Sequence, residues 1–346
     1  MKLKTSRLRR LHFRGSSCVI GAPYLWTILF FFVPFLIIFK ISFADVSDTL
    51  QPPYSDLSAY EDNHVSISLN VGNYLDLFRC EDEEDCNVWK IDYSFLNFES
   101  VGLNLRDSLK GFFDAISTEF HVTIYIEAFW NSVKIAAVST LICLLIGYPM
   151  AWSIAHSSQA MRSVLLMLVI LPSWTSFLIR VYAWIGLLKP NGTINNVLMW
   201  FGIIHEPLNM MHTSFAVYVG VVYAYLPFMI MPLYTAISRV DNSLIEAAED
   251  LGAKPFTILT KVLLPLTSGG MIAGSMLVFI PAVGEYIIPE LLGGPYNILI
   301  GQQLWIDFSN NHDWPKAAAI AVAMLMFLLV PIIWYFKQQK NEGVSK

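Results

Sequence analysis

The sequence predicts an all-α membrane protein with six transmembrane helices, on three observations. Charge is scarce, with 14% charged against 55% hydrophobic residues and a mean hydropathy of +0.53, a balance that soluble domains rarely show. Six apolar runs stand out, at 20–40, 129–154, 163–183, 214–237, 265–289 and 316–336. Each approaches the roughly 20 residues that a helix rising about 1.5 Å per residue needs to cross a hydrocarbon layer about 30 Å thick. Gly or Pro interrupts every run, which membrane helices tolerate better than soluble ones.

Basic residues orient the spans. Lys2, Lys4, Arg7, Arg9, Arg10 and Arg14 fall in the first eighteen residues with no acid among them, so 1–19 is expected in the cytoplasm. An even number of spans returns the C-terminus to that side, where Lys337, Lys340 and Lys346 agree and 339–346 forms a short tail. The segment 238–264, with Arg239, Lys254 and Lys261, also falls inside. The competing reading is a signal peptide cleaved near Ser42-Phe43-Ala44, but the preceding apolar run exceeds an h-region of about 7–15 residues.

The intervening 41–128 is strongly acidic, including "CEDEEDC" from Cys80 to Cys86, and is expected outside the cytoplasm. Its acids suit a solvated, partly disordered surface, or the attraction of a cationic solute or a basic partner patch. Cys80 and Cys86 would lie on the oxidising side, where a disulfide could close a small loop. Cys18 and Cys143 read as small apolar fillers, and the spacing of the four cysteines fits no zinc pattern, so no metal is expected.

Several activities are disfavoured. There is no G-x-x-x-x-G-K-[ST] phosphate loop, no H-E-x-x-H and no G-x-S-x-G. His205-Glu206 is followed by Pro207 without a partner histidine, and no basic, aromatic-interleaved patch suggests nucleic acid. An intramembrane enzyme is therefore disfavoured and no cofactor is expected. Transport or passive scaffolding remains.

One polar stretch interrupts the apolar pattern, "DNSLIEAAEDLGAKPFTILTKVLLPL" from Asp241 to Leu266. Ser243-x-x-Glu246 has the form of a capping box, in which the Ser243 hydroxyl and the Glu246 carboxylate satisfy each other's backbone N–H groups. Leu244, Ala247, Ala248 and Leu251 share a helical face, and Gly252 stands where a left-handed residue would end the helix. Pro255 suits the first turn of a second helix, and Pro265 marks entry into the next span. The pattern is helix, glycine turn, helix, with small residues on a ridge that another protein can approach closely. A plain amphipathic connector is the alternative.

Here the sequence resembles the permeases of ABC importers, whose EAA loop reads E-A-A-x₃-G-x₉-I-x-L-P. This chain matches at Glu246, Ala247, Ala248, Gly252, Leu264 and Pro265, with Val262 where Ile is usual. The resemblance implies the type I ABC-importer permease fold and a loop that docks into a cytoplasmic ATPase through Glu246, Ala247, Ala248 and Gly252. "GYPMAWSIAHS", "LPSWTSFLIRVYAWIGLLKPNG", "VVYAYLPFMIMPLYTAI" and "AGSMLVFIPAVGEYIIPELLGGP" are similar to polyamine-importer permeases, particularly those of putrescine systems. The likeness covers about 20–78 and 125–338, with a permease core at 129–338. The stretch from Arg79 to Tyr125 departs from the family and looks like an insertion. The resemblance implies a bacterial inner-membrane complex in which two ATPase copies, a second permease and an extracytoplasmic polyamine-binding protein join this chain. ATP hydrolysis would reside in the ATPase, not here.

A dicationic amine calls for carboxylates and aromatic faces. Glu285 is the first candidate, inside the fifth span between Pro281-x-x-Gly284 and Pro289, because an ionisable group in a span usually faces a cavity or a partner. The alternative has it near the outer interface or paired with Arg180, for which a structural ion pair is the expected role. Trp174, Tyr182, Trp184, Tyr223 and Tyr225 are candidates for the pathway, or members of an interfacial aromatic belt. Glu290 is expected as an interfacial anchor. Gly270-x-x-x-Gly274 permits close helix packing, as internal architecture or at the seam between the two permeases. Asp307 and Asp313 are expected on solvated surface or against the binding protein.

The function read from this is import of putrescine or a related polyamine by alternating access. Spermidine, an amino-acid derivative or an anion would need the same machinery. A secondary transporter would work without an ATPase and ignore Gly252→Trp; a scaffold would leave uptake normal when deleted.

Overall fold

The computed structural model describes residues 21, 23–47, 51–55, 58–61, 64–67, 70–78, 87–88, 121–294 and 298–344. Cys18, Cys80 and Cys86 lie outside the described residues, as does most of the 79–125 segment. The chain divides into two compact units, 1–76 with 307–323, and 77–306 with 324–346.

In the first unit, α1 (Pro23–Ile41) is an apolar helix with a π-helical turn at Ile28–Phe32 and no buried residue over its length. Its end is tied down by polar groups. Buried Asn73 donates through Nδ2 to the carbonyls of Ser42 and Ala44 at 3.0 and 2.8 Å, and Ser42 Oγ and Tyr74 OH are 2.7 Å apart. Desolvation of Tyr74 raises its pKa, while the bond to Ser42 opposes that shift. Asn73 belongs to α2 (Gly72–Leu75), which follows the antiparallel hairpin of β1 (Ser58–Glu61) and β2 (His64–Ile67). A second short ladder, β3 (Asn87–Val88) with β4 (His121–Val122), lies in the other unit. These strands are confined to the predicted external loop; the other regular elements among the described residues are helices.

The second unit is built around three helices that pack pairwise: α3 (Ile124–Ala155), α7 (Ser214–Ile237) and α10 (Ser268–Val283). Thr123 caps α3 by accepting from the Ile126 N–H at 3.4 Å, and Thr213 caps α7 in the same way. The buried side of α3 is a run of small residues, Ala128, Ser132, Ala136, Ser139, Cys143, Gly147 and Ala151, recurring every three or four positions. In lipid, helices associate through close van der Waals packing, and small side chains permit it. Larger residues fill the opposite walls in two clusters. One is centred on Val217, Val221, Val283, Ile288 and Leu292, the other on Met229, Ile230, Leu233 and Val278.

Two expected spans are broken. The run predicted as one helix over 163–183 is α4 (Gln159–Ile170) with a 3₁₀ turn to Trp174, then α5 (Phe177–Leu188) and α6 (Thr193–Trp200), the two halves bent by 90°. Pro172 lies in the tightened turn, and Thr175 and Ser176 are extended ahead of α5. The run over 265–289 is also interrupted. A helix α9 (Pro255–Leu266), π-helical at Leu259–Leu263, is bent by 70° from α10 at Thr267. α10 then stops at Gly284, and α11 (Ile287–Leu292) begins after the break. α12 (Ile300–Ser309) and α13 (Trp314–Val344) complete the chain. Four described helices are long and apolar enough to cross a membrane, or six if each bent pair is one span.

Gly270 and Gly274 face α7 of the same chain. A Cβ at Gly270 would collide with Ala236 Cβ, and one at Gly274 would sit 2.8 Å from Met229 Sδ. The glycine pair therefore packs this chain's own α10 against α7, the architectural reading of the motif. Asp307 is buried rather than solvated: its carboxylate accepts from Asn311 Nδ2 at 2.8 Å, and Asp313 Oδ1 caps α13 by accepting from the Lys316 N–H at 2.9 Å.

Candidate functional site

Two places concentrate polar chemistry, the helix pair after α7 and the break between α10 and α11. The first begins with α8 (Asn242–Asp250). Its N-cap is Asp241, not Ser243: the Asp241 carboxylate accepts from the Ser243 N–H at 3.0 Å, two residues before the cap expected from the capping-box pattern. That bond lowers the Asp241 pKa from 3.8. Asp is the stronger cap because its charge also favours the positive end of the helix dipole, and a helix begun at Asn242 places Glu246 beyond reach of a capping-box partner. Glu246 is exposed instead.

The other end of α8 follows the sequence. Gly252 has φ +79°, the Gly252 N–H reaches Glu249 O at 2.8 Å, and the Ala253 N–H reaches Ala248 O at 3.0 Å. Those two bonds define a Schellman motif, in which the left-handed residue is normally glycine. Pro255 then opens α9, as its spacing predicts. The turn leaves large apolar side chains in the open: Leu251 is 88% exposed and Phe256 75%, with Ala247 and Gly252 beside them. Behind this tip, Ile258 and Leu263 are buried. At the 70° bend, buried Thr267 lies with its Oγ1 3.2 Å from Tyr148 OH of α3. The exposed turn is thus wired to the bundle through a bent helix. Pro265 lies inside α9, two residues before the bend at Thr267 where the span helix starts.

At the second place, Glu285 is only 8% exposed and its acceptors are engaged. Oε2 accepts from Tyr225 OH at 2.5 Å, and Oε1 accepts from the Ile287 and Ile288 N–H groups at 3.0 and 3.4 Å. The carboxylate thus caps α11 and ties the α10–α11 break to α7. Arg180 is not its partner. The Arg180 guanidinium carbon lies 5.5 Å from the centroid of the Phe177 ring one turn earlier, Nε has no hydrogen-bond partner, and among the described residues Arg180 forms no ion pair. The expected ion pair is replaced by a cation–π contact.

The remaining candidate aromatics do not converge on that carboxylate. Tyr223 packs edge-on against Trp184 with centroids 5.4 Å apart, whereas Trp174 and Tyr182 are 74% and 59% exposed. One determinant escaped the sequence altogether. Asn195, fully buried, donates to the carbonyls of Lys189, Pro190 and Leu208 and accepts from the Leu208 N–H at 3.0 Å, fastening the connection between α5 and α7. The only hint was an Asn just inside a helix start in "PNGTINN". Among the described residues no group of three or more His, Cys, Asp or Glu could hold a metal ion.

A bundle of apolar, membrane-length helices with an exposed helix pair joined to it defines a membrane-embedded protein. Comparison gives the family. The model of the binding-protein-dependent transport system inner membrane component matches residues 105–340, and the chain belongs to that family. It is therefore an inner-membrane subunit of a system that works with a binding protein. The chain is 41% identical over 224 residues to the spermidine/putrescine transport system permease protein PotB of Escherichia coli K12, covering 64% of this chain and 82% of that one. The PotB protein of Salmonella typhimurium LT2 is likewise 41% identical, with 78% of its length covered. The E. coli K12 inner membrane ABC transporter permease protein YdcU is 33% identical over 217 residues, covering 59% of this chain and 66% of that one. The fold matches a solved bacterial ABC transporter involved in alginate import with a TM-score of 0.60, covering 96% of this chain and 99% of that one at 15% identity.

Proposed function

We propose that this chain is the permease of an ATP-driven importer of putrescine or a related polyamine, with six spans and both termini cytoplasmic. In that arrangement 1–19 and 339–346 face the cytoplasm, 20–40 is the first span, 41–128 lies outside, and 129–338 is the transport core with 238–264 on the cytoplasmic face. The observation that carries the ATP-coupled reading is the exposed turn at 251–256, where Leu251 and Phe256 stand in solvent beside Glu246, Ala247, Ala248 and Gly252. Large apolar side chains at a protein's tip are stable when a partner covers them. That partner is an ATPase present in two copies, with a second permease completing the pore.

The polyamine cargo rests on the PotB proteins at 41% identity, whose names specify spermidine and putrescine. In the mechanism, closure of the ATPases moves the 238–264 pair, and α9 passes the motion through the Thr267–Tyr148 contact into α10 and α3. Alternating access follows from tilting of this bundle against the second permease. Glu285 and Tyr225 hold the far end of α10, so a movement delivered at Thr267 reaches the outer mouth through one helix. Trp174, Tyr182 and Tyr223 remain the aromatic candidates for the substrate pathway in this reading.

The test is ATP hydrolysis by the complex purified through a tag on this chain, placed in lipid with its binding protein. Putrescine is expected to stimulate hydrolysis, with spermidine in parallel setting the preference. A co-purified ATPase indifferent to both amines would remove the cargo, and no co-purified ATPase would remove the coupling role.

A further inference from the structure

A groove of about 470 Å³ runs along the seam between α7 and α10. Its walls are exposed apolar side chains, Phe228 and Met231 from α7 and Leu277 from α10. Small residues set its floor: a Cβ at Gly270 would collide with Ala236 Cβ, so the two helices touch there. Thr235 also lines the groove, but its hydroxyl turns back to donate to the Met231 carbonyl at 3.0 Å. The lining is therefore apolar except at one end.

That end is Arg239, just past the last turn of α7. It is exposed, and among the described residues its side chain makes no hydrogen bond or ion pair. Asp241, the acid nearest to it in sequence, has its carboxylate engaged by the Ser243 N–H at the start of α8. A guanidinium thus stands with its donors open at the mouth of an apolar groove.

The dimensions say what fits. At about 1.5 Å per residue, the stretch from Phe228 to Arg239 is roughly 16 Å long, about half of the ~30 Å hydrocarbon layer. Spread over that length, the volume corresponds to a cross-section of about 30 Å². An α-helix with its side chains is about 10–12 Å across, roughly 80–110 Å² in section, so the groove is too narrow to seat one. A single hydrocarbon chain fits. A cation at the end of a chain-wide groove one leaflet deep is complementary to an amphiphile with an anionic head, because arginine pairs with phosphate through two parallel bonds and basic pockets between spans hold lipid head groups.

We infer that the α7–α10 groove binds an anionic phospholipid of the cytoplasmic leaflet. Its phosphate pairs with Arg239, and one acyl chain lies along Met231, Leu277 and Phe228. The leaflet rests on the orientation proposed above, which puts 238–264 in the cytoplasm; the lipid class rests on the groove and its arginine.

The test uses the whole complex in nanodiscs that carry phosphatidylglycerol with a photoactivatable diazirine on its acyl chain, or the matched phosphatidylcholine probe, with adducts mapped by mass spectrometry. Peptides holding 228–239 and 270–277 are expected to be labelled by the phosphatidylglycerol probe. Excess unlabelled phosphatidylglycerol should protect them and phosphatidylcholine should not. Arg239→Gln should lower that labelling about fivefold, whereas Arg239→Lys, which keeps the charge, should retain most of it. Equal labelling by the two probes, unchanged labelling in Arg239→Gln, or no adduct in the groove, as when a protein segment covers it, would overturn the site. Orientation is read separately. A membrane-impermeant maleimide is expected to add to Arg239→Cys, above the level of the unsubstituted chain, in opened cells and not in intact ones. Labelling of intact cells would overturn the leaflet and the proposed topology together, while head-group selectivity in the nanodiscs would still hold the lipid class.

Discussion

Tyr225→Phe removes one hydroxyl and leaves the ring, so it isolates the bond that ties α7 to the α10–α11 break. The bond is 2.5 Å long, in the range of a hydroxyl donating to a carboxylate, and its acceptor is 8% exposed. Hydrogen bonds to charged groups contribute about 1.5–3 kcal/mol, roughly a ten- to hundredfold change in an unfolding equilibrium. Glu285 would keep two backbone donors, the Ile287 and Ile288 N–H groups, so α11 remains capped and the loss falls on the link to α7. The assay is reversible unfolding of the chain in bicelles by added SDS, run as a double-mutant cycle with Glu285→Ala. Residues in direct contact couple by about 0.5–3 kcal/mol, and a charge-assisted bond belongs in the upper half of that range. Additivity within about 0.5 kcal/mol would mean that the hydroxyl and the carboxylate do not act as a pair, and the latch would have to be abandoned.

The other expectations concern the helix pair and the bundle. Gly252→Val forces a β-branched residue to φ +79°, at roughly 1–2 kcal/mol or more, while a Cβ there meets nothing within 4 Å. The cost is confined to the turn, so ATPase recovery with the tagged chain should fall while the unfolding of the bundle is unchanged; undiminished recovery would detach the turn from docking. Asp241 has a depressed pKa, so its cap is fully present above 3.8 and is lost as pH falls through the lower folded value. Hydrogen exchange at the Ser243 amide, corrected for intrinsic rate, should show protection declining only in that acidic window, and constant protection down to pH 2 would contradict the cap. Gly274→Ala brings a methyl to 2.8 Å from Met229 Sδ and 3.1 Å from Met229 O. Overpacking of that kind costs about 1–3 kcal/mol, and Met229→Ala should recover part of it in the same unfolding assay. A neutral Gly274→Ala would mean that α10 can shift on α7 without loss.

The sequence and the structure agree where one local rule decides the outcome. Gly252, Pro255 and the long apolar runs of α3 and α7 are of that kind: a left-handed turn, a fixed φ and a membrane-length helix each have few solutions. Disagreement appears where two rules compete for neighbouring residues. Ser243 and Asp241 both offer an N-cap, and the capping-box pattern favours the first; the structure uses the second because a carboxylate at the dipole's positive end is the stronger acceptor. Hydropathy alone joins α4 to α5, since Leu171-Pro172-Ser173-Trp174 is apolar enough to continue a span, yet the proline and the extended Thr175 and Ser176 break it.

The partners of polar groups in the bundle are least legible, because they depend on which helices become neighbours. Glu285 could be recognised as costly in a span, but its pairing with Tyr225, sixty residues away, and not with Arg180 requires the packing of α7 against α10. The same packing turns Gly270 and Gly274 inward, where periodicity only said that some helix would approach them. Burial of an ionisable group in a bundle therefore has two readings that sequence cannot separate, a ligand site or a staple. Counting donors separates them. Glu285 receives three hydrogen bonds and both its oxygens are engaged, whereas exposed Glu290 receives one, from Gln302. By that count Glu285 is committed to holding helices together, since no acceptor of its carboxylate is left over for a ligand.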